Sequence, residues 1–434
     1  MNFSHHHRHE YPWPAPSALL HSVHAALAAT ALEPDESDKI AAKSTVRIAT
    51  LNVLNCHLVN LVARPAEVLD AAARLRLLLD TFGTLAASDT VVALQEVPLG
   101  WLSALRRHAR KLGYRLVATF SKLARGVPGF MGVALAWPAR AYDATAVDAR
   151  QLHEAVGWPR QPSPPRDAAW TNVRGAVSAI VAARLRQRGG AGAAFVAASV
   201  HLPYDGRLGA LLRPTQGVAA AIAARHVAAL ANRSSATLPH ALAGDFNAPP
   251  GTTAHSVMLG QESPPQPARS VAWWPPAAPR RYRSAYAAAA GAEPPFTNVV
   301  ASRGGGAPAT LTLDYVWVSD EWRVAAADPL PPAAAAEALP NRTWPSDHLL
   351  LAVELALPPT SAPPPPTTHR TAHRLRERPL EPGRWAFEGA AGGAAAAEAA
   401  LEASLAELQR LCAALAFDQT RGCRCPSLSR AQTC

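Results

Sequence analysis

His240-Ala241-Leu242-Ala243-Gly244-Asp245-Phe246-Asn247 is a short apolar run that ends in an acid, an aromatic and an amide. Such a run, bounded by turn-forming residues, reads as a buried strand. It delivers Asp245 and Asn247 at its carboxyl end. Gly, Asp and Asn each favour turns on their own, so Gly244–Asn247 gains chemical meaning only from company. The arrangement recurs on both sides. Asn52 closes the strand pattern that opens at Thr45, and Gln95-Glu96 follow Thr90-Val91-Val92-Ala93-Leu94. His201 lies near the end of Ala194 to Leu202. Asp314 sits within Leu311 to Val318, and Ser346-Asp347-His348 lead into a last strand, His348 to Leu357. Strand ends are rigid platforms from which side chains can converge on one cleft.

The remaining patterns fill in an architecture. Helices are predicted from Pro65 to about Ala87, from about Leu99 to Leu112 with Gly113 as the stop, and from Pro214 to about Asn232. Further strands are predicted over Tyr114 to Phe120, Gly132 to Trp137 and Ala176 to Leu185. Residues 157–168 are Pro-rich and read as a loop, and 260–282 read as irregular. Successive strands with helices inserted between some of them fit two packed sheets with helices on the outer faces.

The 434 residues divide by composition. Residues 1–43 read as a weakly helical or disordered leader, 44–358 as the catalytic domain, 359–388 as a Pro/Arg-rich linker, and 389–434 as an Ala-rich helix with a Cys-containing tail. That helix, with Leu401, Leu405, Leu408, Leu411 and Leu415 at helical spacing, is suited to docking on a protein partner. Of 42 basic and 32 acidic side chains, the leader holds 3 and 5 and the segment after 358 holds 9 and 7. The middle segment therefore carries the whole net charge of +10. A basic catalytic segment suits an anionic substrate, RNA or a nucleotide. No apolar run reaches the roughly 18 residues of a membrane span, and an intracellular location, cytoplasmic or organellar, is favoured. Five cysteines, four of them in the last 23 residues, do not make a secreted disulfide framework, and Cys423-Arg424-Cys425 has the wrong spacing for zinc.

Phosphate-ester cleavage needs what the strand ends offer. The ester repels nucleophiles through its charge, and its leaving oxygen must be stabilised. A hard cation on carboxylate oxygen supplies part of this, so Mg²⁺, with Mn²⁺ as the alternative, is expected. Glu96 is the expected direct ligand, Asn52 orients the metal or its waters, and Asp347 is an outer ligand. Asp245 is the expected base for the attacking water, with Asn247 as a hydrogen-bonder. His348 contacts the scissile phosphate, Asp314 fixes its tautomer and charge, and His201 donates a further hydrogen bond.

In order and spacing these segments resemble the endonuclease/exonuclease/phosphatase superfamily, over about residues 45–357. Gln95-Glu96, Gly244-Asp245-Phe246-Asn247 and Ser346-Asp347-His348 carry the resemblance. It implies a DNase I-like, four-layered α/β sandwich of two mainly antiparallel sheets with outer helices. Within the superfamily, three stretches are similar to the nocturnin/Angel/deadenylase branch. They are Leu339-Pro340-Asn341 ahead of Trp344–His348, Phe296-Thr297-Asn298 ahead of Leu313–Trp317, and Arg213 with Gln216 after His201. The likeness implies substrate contacts from Arg213, Gln216 and Asn341, and a 3′–5′ exoribonuclease of deadenylase type. Trp273, Trp274 and Tyr282 are candidate base-stacking surfaces. The alternatives are a phosphatase or phosphodiesterase for a small nucleotide metabolite, a sphingomyelinase-like lipid phosphodiesterase, and a silent scaffold. The intact acid and imidazole set argues against the last.

Overall fold

In a computed structural model of the chain, the described residues are 44–358 apart from 57, 60–63, 121–130, 155–172, 174–177, 189–192, 205, 233–237, 265–280, 301–307 and 332–338. The leader, the Pro-rich loop, Trp273, Trp274 and everything after residue 358 lie outside them.

Two six-stranded sheets face each other. The first contains β1 (Thr45–Asn52), β2 (Val91–Val97), β3 (Tyr114–Phe120), β4 (Gly132–Pro138), β13 (Arg323–Ala327) and β14 (Leu351–Ala356), in the order β13-β14-β1-β2-β4-β3. The second contains β5 (Tyr142–Gln151), β6 (Ala179–Gln187), β7 (Ala194–His201), β8 (His240–Asp245), β9 (Arg283–Ser284) and β12 (Asp314–Val318), in the order β5-β6-β7-β8-β12-β9. β10 (Asn298–Val300) and β11 (Ala309–Leu311) form a separate hairpin. Each large sheet has one parallel pair near its centre, β1 with β2 and β7 with β8. The other strand pairs of both sheets are antiparallel.

Helices complete four layers. α1 (Ala66–Leu69), α2 (Ala71–Ala87) and α3 (Leu99–Lys111) go with the first sheet, and Leu78, Phe82, Trp101 and Leu105 pack on its outer face. α4 (Leu212–Ala231) covers the second sheet together with the short α5 (Thr253–Met258). A third short helix, α6 (Ala285–Ala290), leads away from β9. Between the sheets lie Ile48, Val91, Leu135, Val181, Phe195, Val316 and Val353, all nearly or wholly buried. Alanine, which buries little area by itself, here permits close approach: Ala219, Ala220, Ala221, Ala223 and Ala224 are all buried in the cluster that packs α4 with the second sheet and α5.

Several expected boundaries shift. The helix expected from Pro65 breaks at Asp70, whose backbone is extended (φ −56°, ψ 121°) and whose carboxylate caps the next helix by accepting from Ala73 N at 2.7 Å. The expected strand Leu311 to Val318 divides between β11 and β12. His348 makes only an isolated bridge to Asn298, and the last strand begins at Leu351. β5 and β13 carry no clear strand signal. Both are partly exposed edge strands, β5 rich in Ala and Asp and β13 mostly Ala, so only pairing with β6 and β14 makes them strands. Tyr282 is fully buried and donates its hydroxyl to Ala224 O at 3.2 Å, so it is a packing residue and not a stacking surface.

Candidate active site

Register aligns half of the site. On the second sheet His201 pairs with Asp245, and Asp245 with Asp314, on three adjacent strands. Directly paired residues project from the same face, so this row places two acids and an imidazole side by side. Gly244 makes the row possible, because a Cβ there would lie 2.0 Å from Val200 O on the neighbouring strand. Across the gap, Asn52 pairs with Gln95 at the carboxyl ends of β1 and β2. Gln95 joins the sheets: it accepts from Thr50 Oγ1 at 3.1 Å and donates to Ser199 Oγ at 3.0 Å.

Strict alternation would send Glu96 to the face opposite Gln95. Instead the β2–β4 register shifts between Leu94 and Val97, and Glu96 adopts φ 57°. The bulge re-aims the carboxylate. Its Oε1 accepts from Asn52 Nδ2 at 3.0 Å and its Oε2 from Asn55 N at 2.9 Å. Of the four non-glycine residues with positive φ among the described residues, Leu54, Glu96 and Asn247 lie at this one site. Left-handed backbone at non-glycine positions costs on the order of 1–3 kcal/mol each and persists where neighbours over-determine it.

Asn52 is the hinge between the sheets. Its Nδ2 donates to Glu96 Oε1 and, at 2.9 Å, to Asp245 Oδ2; its Oδ1 is occupied by Leu54 N at 2.9 Å. Asp245 Oδ1 accepts from Asn247 N at 2.8 Å. His201 Nε2 stands 3.6 Å from Asp245 Oδ2, 3.8 Å from Glu96 Oε1 and 3.1 Å from Asn247 Nδ2. His348 Nδ1 meets Asp314 Oδ2 at 2.8 Å, and its Nε2 is 3.9 Å from both Asp245 Oδ2 and Asp347 Oδ1. Thr297 Oγ1 donates to Asp314 Oδ2 at 2.7 Å while accepting from Leu313 N and Asp314 N, so its proton has one direction to point.

Electrostatics separates the groups. Burial, and next the Asp314 charge, push the Asp245 carboxyl up to about 6, against the pull of His348, His201 and Asn52. Burial alone would lower His348, but the Asp314 and Asp347 carboxylates outweigh it and hold the imidazole charged well above the ordinary histidine range. Burial also raises Asp347.

The substrate-contact candidates differ in exposure and bonding. Arg213 is exposed near the start of α4. Gln216 is buried, and its amide is committed to Pro203 O at 3.1 Å and Asn247 O at 2.5 Å. Asn341 closes a turn, accepting from Thr343 N and Thr343 Oγ1, both at 2.9 Å.

One residue escaped the sequence reading. Arg74, 1% exposed, donates through Nε to Pro345 O at 2.6 Å and through Nη2 to Val53 O at 2.6 Å and to Leu54 O, with its guanidinium 5.4 Å from the Trp101 ring. It ties the turn after Asn52 to the start of Ser346-Asp347-His348. Ser346 Oγ reinforces the link by donating to Asn52 O at 2.5 Å. An arginine inside a helix otherwise reads as a solvated face, and nothing in the sequence pattern around Arg74 marks it.

The residues present fit a divalent cation. Asp347 Oδ1 is buried without a hydrogen-bond donor, and Glu96, His201 and Asp245 each offer one ligand atom within 4.8 Å of the others. The donors are mostly hard carboxylate oxygens.

A four-layered sandwich with acids and imidazoles gathered at its strand ends defines a phosphoester hydrolase. The chain belongs to the endonuclease/exonuclease/phosphatase family, whose model matches residues 49–348. Among solved structures, it is similar to ANGEL2, described as a 2′,3′-cyclic phosphatase in complex with adenosine-2′,3′-vanadate. Identity is 18% over 72% of this chain and 95% of that one, with a TM-score of 0.55. It is also similar to the human nocturnin catalytic domain with bound sulfate, at 21% identity over 73% and 96%, with a TM-score of 0.50. No curated protein matches. No described helix is long and apolar enough to cross a membrane.

The raised acid and the raised histidine share one consequence for stability. A carboxyl whose folded pKa lies above its unfolded value destabilises the fold at high pH, and the penalty is relieved as pH falls through about 6. His348 contributes stability that is complete below the ordinary histidine pKa and is lost as pH rises through its folded value. The metal-free protein is therefore expected to melt a few degrees higher at pH 6 than at pH 8.5, by calorimetry. Asp245→Asn should shrink that difference, and an unchanged difference would contradict the assignment.

Proposed function

We propose that the chain is a Mg²⁺-dependent phosphodiesterase acting on RNA, a 3′–5′ exoribonuclease of deadenylase type. The observation that carries this reading is the juxtaposition of a buried acid that titrates near 6, Asp245, with a charged His348–Asp314 pair 3.9 Å away. A base poised near neutrality can take a proton from water, and a fixed positive charge beside it stabilises the phosphoryl oxygens.

Asp245 orients and deprotonates the attacking water. His348, held by Asp314, faces the phosphoryl oxygens with its Nε2 proton. His201 and Asn247 add donors beside it. Glu96 and Asp347 would hold the cation, and Asn52 keeps the Glu96 and Asp245 carboxylates apart at a fixed distance. When bound, the cation supplies Lewis-acid polarisation of a phosphoryl oxygen. The exposed Arg213 and the Asn341 turn are assigned to the nucleotide backbone, and the basic middle segment favours a polyanion.

The test is incubation with Mg²⁺ against end-labelled poly(A), mixed RNA, single-stranded DNA, adenosine 2′,3′-cyclic phosphate, NADP and sphingomyelin. Ladders shortening from the 3′ end of RNA are expected. Opening of the cyclic phosphate alone, or inorganic phosphate from NADP alone, would replace this reading with that of a small-nucleotide phosphatase.

A further inference from the structure

Few large apolar side chains are exposed among the described residues: Leu112, Tyr204, Leu211 and Leu311. Tyr204 is the outlier, an aromatic ring at 72% exposure. It stands three residues beyond His201. The segment between them is the opposite of loose. Leu202 N donates to Asp245 O at 2.9 Å, Asn247 Nδ2 donates to Leu202 O at 3.1 Å, and Gln216 Nε2 donates to Pro203 O at 3.1 Å. Leu202 and Pro203 are themselves buried. The backbone that presents Tyr204 is thus bonded to the strand and turn carrying Asp245 and Asn247, and braced from α4. Exposed Leu211 and Arg213 follow on the same stretch of chain.

An aromatic ring left in water forgoes the burial it would find in a core. A ring held on a fixed backbone, with an exposed cation following, is the combination that binds a base by stacking at small entropic cost. We propose that Tyr204 is the stacking platform for the nucleobase adjoining the scissile phosphate. The inference rests on the RNA reading above and adds the residue that senses the base. Gln216 then acts through Pro203 and Asn247, as the residue that keeps platform and phosphate donors at one spacing.

The experiment compares steady-state kinetics of wild type, Tyr204→Ala and Tyr204→Trp on a short RNA and on its abasic analogue with the same phosphates. Loss of a stacked base costs about 5- to 150-fold. For Tyr204→Ala the preference for base-bearing over abasic substrate, as a ratio of kcat/KM values, should fall at least fivefold. The loss should appear mainly in KM, and Tyr204→Trp should keep the preference. An unchanged preference in Tyr204→Ala, with wild type active on RNA, overturns the inference alone. An equal loss on both substrates also overturns it and assigns Tyr204 to loop packing. Wild type inactive on every RNA rejects the RNA reading, and this inference with it.

Discussion

Asp245→Asn is expected to lower kcat by at least about a hundredfold, the scale of loss for a removed catalytic base, while raising the melting temperature of the metal-free protein. Both effects have one cause. The carboxyl is buried beside Asp314, which is why its pKa stands near 6 and why its ionised form burdens the fold. An amide keeps the shape, removes the charge and cannot take a proton from water. Glu96→Gln is expected to cost a similar factor in a different way. Its carboxylate is assigned to the cation, so part of the lost rate should return as Mg²⁺ is raised, whereas no concentration of Mg²⁺ should restore Asp245→Asn. Metal titrations of both variants at saturating substrate separate the roles. Near-normal turnover in both would reject the assignment, and equal rescue by Mg²⁺ would show that the two carboxylates do one job.

The strand ends that build this site were readable because each couples an apolar run to an abrupt polar residue. His201, Asp245 and Asp314 needed only register to become neighbours, and they share the face on which Ala197, Ala243 and Val316 of the same strands fill the core between the sheets. What could not be read depends on partners distant in the chain. Glu96 reaches the site through a bulge that exists only where β2 meets β4. Gln216, a plausible substrate contact by position, is turned inward by the carbonyls of Pro203 and Asn247. β5 and β13 have compositions that a strand shares with many loops. Local pattern thus marked the polar strand ends, and long-range pairing gathered them.

Arg74→Met is expected to show how much of that aim one side chain carries. Methionine fills similar volume but donates nothing, so the carbonyls of Val53, Leu54 and Pro345 lose their guanidinium donors in a buried place. Leaving buried acceptors unpaired costs about 1–3 kcal/mol each, so three such carbonyls bring the loss to about 3–5 kcal/mol. At roughly 2–4 °C per kcal/mol for a domain of this size, the melting temperature should drop by about 10 °C. Stability alone does not test the role, so turnover is measured well below the lowered melting point. The turn after Asn52 carries Asn55 N to Glu96, and the residue after Pro345 opens the Ser346–His348 triplet. Freed from each other, the two loops should let Glu96 and Asp347 drift apart, with kcat down at least tenfold and the half-saturating Mg²⁺ concentration raised. Arg74→Lys keeps the charge but offers a single point of attachment where the fork spans three carbonyls. It should recover stability more than Mg²⁺ affinity. If Arg74→Met, still folded, bound Mg²⁺ and turned over like wild type, the clamp would be a prop for helix α2 alone. The two ends of the site would then be held together by Ser346 and Asn52.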